Sequence, residues 1–161
     1  LRNGKCHKRT RRNRFKRSSM KKDVTITLKG VQQVDRERSE TELITGATFS
    51  TVKGGGFRIA YDETEATGFE GARTEITAFG NESASIVRSG EAGTNLIIEK
   101  DKKHHCHYGT PYGDMTIGIY TQSIVNNLTA DGGDLYLKYT VDINSSYVSD
   151  NEVYIEIMRN S

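Results

Sequence analysis

Apolar and polar residues trade places at every second position through most of this chain, and that period admits few folds. Leu135, Leu137, Tyr139, Val141 and Ile143 fall on one side of an extended backbone, with Tyr136, Lys138, Thr140 and Asp142 on the other. Val153, Ile155 and Ile157 alternate in the same way with Glu152, Tyr154, Glu156 and Met158, as do Val24, Ile26 and Leu28 with Thr25, Thr27 and Lys29. Successive side chains of a strand point to opposite faces, so each segment reads as a strand with one buried and one wetted face. No window longer than two turns carries a convincing helical period. Only residues 120–128 leave a short helix in competition with a strand.

The punctuation between these segments is that of hairpins. Residues 42–52 form a strand, and Lys53-Gly54-Gly55-Gly56 offers the positive φ angles of a tight turn. The return strand puts Phe57, Ile59, Tyr61 and Glu63 on one face and Arg58, Ala60 and Asp62 on the other. Further strands follow at residues 74–79, 83–88, 95–100, 104–108 and 115–128, separated by Gly80-Asn81, residues 90–93, Thr110-Pro111-Tyr112-Gly113 and Asp131-Gly132-Gly133-Asp134. Sixteen Gly and one Pro suit such a chain. The sum is about eight to ten short antiparallel strands. An open sheet that wide exposes sticky edges, so it should close on itself. Turns of two to five residues leave no long crossover, which favours an all-β, up-and-down barrel over a sandwich.

Charge is divided unevenly along the chain. Residues 1–19 hold nine Lys and Arg and no acid, which leaves 14 basic against 21 acidic residues, or −7, for residues 20–161. The expectation is a basic, disordered tail that lies outside the native protein, with Met20 as the native start and residues 20–161 as a single barrel domain. Were the tail native, it would be an arm for nucleic acid; otherwise nucleic acid is not an expected partner. No apolar run is long enough for a membrane helix. Cys6 and Cys106 make no disulfide framework, and the sequons at Asn81, Asn127 and Asn144 would matter only in an exported chain. A reduced, cytoplasmic protein is the reading that follows.

Several runs resemble a known family. Tyr61-Asp62-Glu63, Thr74-Glu75-Ile76, Arg88-Ser89-Gly90 and Tyr108-Gly109-Thr110-Pro111-Tyr112-Gly113 are similar, in order and spacing, to the YwiB-like family of uncharacterised bacterial proteins. The Tyr-X-Thr-Pro-Tyr-Gly turn is the most specific of them. The resemblance spans essentially all of residues 20–161 and implies a calycin-type, lipocalin-like β-barrel. It implies no activity. The chain has no Trp and so lacks the Gly-X-Trp first-strand motif of lipocalins themselves.

Chemistry-bearing residues are few. His104-His105-Cys106-His107 contains good zinc ligands. Strand alternation, however, sends His104 and Cys106 to one face and His105 and His107 to the other, so no metal and no cofactor is expected. There is no Gly-X-Ser-X-Gly elbow, and Gly54–Gly56 lacks the Lys-Ser/Thr of a phosphate loop. More telling are polar residues on apolar faces. Glu63 continues the face of Phe57, Ile59 and Tyr61, Arg88 that of Ala84 and Ile86, and Tyr139 lies among Leu135, Leu137 and Val141. If those faces line the lumen, Tyr61, Glu63, Arg88 and Tyr139 converge. They then form either a pocket that fixes the polar end of a small ligand or a plug that closes a narrow barrel. Tyr108 and Tyr112 would supply a lip, or only a turn.

Three functions stay open. One is a non-catalytic barrel with a small-molecule ligand inside. The others are a protein-interaction module with a filled barrel, and an enzyme using Glu63 as acid or base with Arg88 as anion clamp.

Overall fold

A computed structural model describes residues 20–90, 93–110 and 113–158. The alternation becomes ten strands: β1 (Lys21–Val34), β2 (Glu37–Val52), β3 (Gly56–Asp62), β4 (Arg73–Phe79), β5 (Ser83–Ser89), β6 (Thr94–Glu99), β7 (Lys103–Thr110), β8 (Gly113–Asn126), β9 (Gly133–Ile143) and β10 (Ser146–Met158). They make one antiparallel sheet in the order β6-β5-β4-β3-β2-β1-β10-β9-β8-β7. The pairing of β1 with β10 joins the first and last strands, which leaves β6 and β7 facing each other across a seam. Among the described residues no ladder joins these two strands. The seam is held instead by the turn after β6, where Asp101 N–H donates to Thr121 O at 3.0 Å. Side chains add to it: His104 Nε2 lies 2.9 Å from Glu99 Oε1, and Cys106 Sγ–H donates to Asn95 O at 3.2 Å. The result is a nearly closed up-and-down barrel, as the turn spacing required.

Where alternation fails, the strands outrun expectation. β1 continues to Val34 and turns through Asp35 (φ 53°) into β2 at Glu37, and β9 turns into β10 through Asn144 (φ 50°) and Ser145 (φ 70°). The β1–β2 tip projects past the core with both faces largely wet, so no apolar period marks it. The backbone ladders hold both hairpins, and the β9–β10 turn is also tied to β8, with Asn144 N–H donating to Thr116 O at 2.8 Å and Thr116 N–H donating to Asn144 Oδ1 at 2.9 Å. The helix considered for residues 120–128 does not form. As far as Asn126 this stretch pairs with β9, with a register shift between Thr121 and Ser123, because the ladder bonds outweigh a weak local preference. The connection of residues 63–72 is also longer than the short turns expected. It includes a single 3₁₀ turn at Glu65–Thr67, and β3 still pairs with β4.

The inward positions form one apolar cluster, with Ile26, Phe49, Ile59, Ile76, Ile86, Ile98, Ile119, Leu137 and Ile155 all buried. Phe49 stacks on Phe57 with ring centroids 5.3 Å apart. Gly54 and Gly55 take positive φ, whereas Gly56 serves by smallness: a Cβ there would lie 2.6 Å from Ala78 O and from the Phe79 ring.

Candidate functional site

Four of the residues singled out from the sequence meet at one end of the lumen. Tyr61 is the last buried aromatic of β3, and Glu63 is the first residue of the connection beyond that strand. Arg88 stands on the inner face of β5, and Tyr139 on that of β9. Tyr61, Glu63 and Tyr139 are buried. Arg88 is largely covered, with 20% of its side chain accessible.

Glu63 is the hub. Thr67 Oγ1 donates to its Oε1 at 2.7 Å, and Thr74 Oγ1 donates to its Oε2. Arg88 Nε lies 3.5 Å from Oε2, close enough for an ion pair, but Nε makes no aligned hydrogen bond there. The guanidinium also lies over the Phe69 ring, its Cζ 3.8 Å from the centroid, a cation–π contact supplied by the residue 63–72 connection. Burial, and then the Glu63 charge, push the Tyr61 hydroxyl above the ordinary tyrosine range, while Arg88 and Thr74 pull it back. Burial likewise raises Tyr139, against the pull of Arg88. One cation therefore acts on both phenols.

Among the described residues, four buried side-chain polar atoms lack a hydrogen-bond partner: Thr64 Oγ1, Arg88 Nε, Thr94 Oγ1 and Thr121 Oγ1. Arg88 belongs to the cluster, and the other three flank it in sequence or register. Thr64 follows Glu63, Thr94 is the cross-strand partner of Arg88, and Thr121 that of Tyr139. Buried polar atoms are normally paired, so their grouping here sets this end of the barrel apart.

Open space sits beside the cluster. A pocket of about 170 Å³ is lined by Gly30, Gln32, Ser39, Thr41, Tyr139, Asn151, Glu152 and Val153, mostly inward positions of β1, β2, β9 and β10. A larger groove, about 330 Å³, lies outside the lumen. Asp23, Thr25, Gly46, Thr48, Ala60, Asp62 and Arg73 contribute to it from the outer faces of β1–β4.

The remaining sequence candidates separate. Tyr112 falls outside the described residues. For Tyr108 only the backbone is described, in β7 opposite Met115. His104 and Cys106 share the face of Ile119 and Ile117, and each is engaged across the seam. Among the described residues no three His, Cys, Asp or Glu side chains gather as a metal site, and no helix is long and apolar enough to cross a membrane. Sequence reading missed Thr67, Thr74 and Phe69. Thr74 was within reach, since it precedes Ile76 and Ala78 on the inner face of β4. Phe69 was not, because a loop has no period.

No curated protein matches this sequence. The ywiB protein from Bacillus subtilis, known from its crystal structure, is similar in fold, with a TM-score of 0.65, 16% identity, and coverage of 89% of this chain and 98% of that one. At that identity the likeness speaks for the barrel alone. The family described as Domain of unknown function (DUF1934) matches residues 26–155, and the chain belongs to that family.

Proposed function

We propose that this barrel binds a small, partly polar molecule at the open end of its lumen and does not transform it. The observation that carries this reading is the convergence of Tyr61, Glu63, Arg88 and Tyr139 at one end of the barrel, with Tyr139 also lining the 170 Å³ pocket. That volume corresponds to about five or six waters, so the pocket itself takes a small head group or fragment. Its polar lining from Gln32, Ser39, Thr41 and Asn151 suits hydrogen bonding more than apolar burial. We place the protein in the reducing cytoplasm, with which the free thiol of Cys106 agrees.

A plug is the second reading, favoured by the saturation of Glu63 by two hydroxyls and a cation. Native mass spectrometry of the full chain, before and after denaturation, separates the two. A co-purifying small molecule released on denaturation supports binding. A clean apo mass, from wild type and Arg88→Met alike, supports the plug.

A further inference from the structure

We infer that the ligand group held at this mouth is an oxyanion, a carboxylate or a phosphate on a small molecule, gripped by the outer edge of Arg88 with the Thr94 hydroxyl beside it. This rests on the proposal that the mouth is a ligand site, and it names the class of ligand.

Glu63 engages only one edge of the Arg88 guanidinium. Nε is its nearest approach to Glu63, at 3.5 Å, and Nε is buried without an aligned hydrogen bond. The accessible fifth of the Arg88 side chain therefore excludes Nε. Glu63 meanwhile is satisfied from elsewhere, by the hydroxyls of Thr67 and Thr74. It does not take the paired Nη1 and Nη2 donors in the fork-to-fork geometry that arginine and carboxylate usually adopt. Among the described residues no hydrogen bond to those two nitrogens is formed.

Phe69 packs against the group, its ring centroid 3.8 Å from Cζ, and restrains the guanidinium from one side. A planar, pre-oriented pair of donors matches two oxygens of one carboxylate or phosphate, and a lysine ammonium does not reproduce that match. Thr94 adds a third donor. It stands directly across from Arg88 on β6, and its Oγ1 is buried and unpartnered. A neutral or cationic ligand would leave the fork unused. Glu63 next to the site and the acidic character of residues 20–161 oppose anions in general, so a bare ion should bind with about millimolar affinity.

Arginine side-chain NMR on the full-length protein tests this. Sodium acetate and sodium phosphate are titrated separately against sodium chloride at matched ionic strength, while the Arg88 Nε–Hε resonance, assigned by its loss in Arg88→Lys, is followed. The expected result is a saturable shift with acetate or phosphate and none with chloride. The tighter of the two identifies the carboxylate or the phosphate as the natural group. Thr94→Val should weaken binding several-fold, and Arg88→Lys, which keeps the charge but not the fork, at least about ten-fold. An unmoved Arg88 resonance, or an equal response to chloride, overturns the inference. If acetamide then perturbs the side-chain amides of Gln32 and Asn151, the oxyanion class is refuted and the mouth still binds. If acetamide also does nothing, both readings fall.

Discussion

Replacing Arg88 with methionine keeps an apolar stem of similar length and removes only the charge, so the loss can be worked out from the geometry. At 3.5 Å from Glu63 and an effective dielectric of about 20, the missing attraction is about 5 kcal/mol. Two features reduce it. The arginine no longer has to be desolvated, and Glu63 keeps the hydroxyls of Thr67 and Thr74. We expect a net loss of about 2–4 kcal/mol, toward the low end for a buried pair that loses one partner. With a urea slope of about 2 kcal/mol per molar for a domain of this size, the midpoint should fall by about 1–2 M with the slope unchanged. A double-mutant cycle isolates the pair: Arg88→Met with Glu63→Gln should cost less than the two singles added, by at least about 1 kcal/mol. A coupling below about 0.5 kcal/mol would refute the reasoning, because the misaligned 3.5 Å contact would then be an adjacency without energetic weight.

Stability should also fall in alkali. Burial and the 2.5 Å hydrogen bond to Glu152 push the Tyr136 hydroxyl up to about 12, and Tyr61 and Tyr139 are raised as well, chiefly by burial. Unfolded tyrosines release their protons near pH 10, so above that the folded state binds more protons than the unfolded one. The Tyr136 contribution is complete below about pH 10 and is lost as pH rises through about 12; urea midpoints from pH 9 to 11 should drop, less steeply in Tyr136→Phe. In the β2–β3 turn, Gly56→Ala should destabilise by about 1–3 kcal/mol through overpacking against Ala78 and Phe79. Gly55→Ala meets nothing within 4 Å and bears only the strain of φ +93°, at about 1 kcal/mol; thermal melts of the two variants should rank in that order.

The sequence by itself determined the barrel and the sides of its wall. Period-two alternation assigned Ile59, Tyr61, Arg88, Leu137 and Tyr139 to inner faces, and the Gly-rich turns made neighbouring strands antiparallel. That information is local, since a strand tells its two faces apart by which side chains can be wetted. It also placed Glu63 and Arg88 on a common interior, because both continue apolar runs. The hairpin tip at Asp35 escaped detection, since both faces of the chain are largely in water there and the pattern disappears.

Tertiary structure decided the rest. Ladder register sets Tyr61 and Arg88 on either side of Thr74, and only closure of the sheet brings that end against Tyr139 of β9. Only the path of residues 63–72 delivers Thr67 and Phe69 onto the carboxylate and the guanidinium. The placement of Arg88, with Nε toward Glu63 and Cζ over Phe69, depends on distances of a few ångströms among separate segments. No periodicity encodes such distances. The same holds for the seam between β6 and β7, where adjacency in the chain predicted a ladder and closure of the barrel left turn hydrogen bonds and side chains to hold the gap.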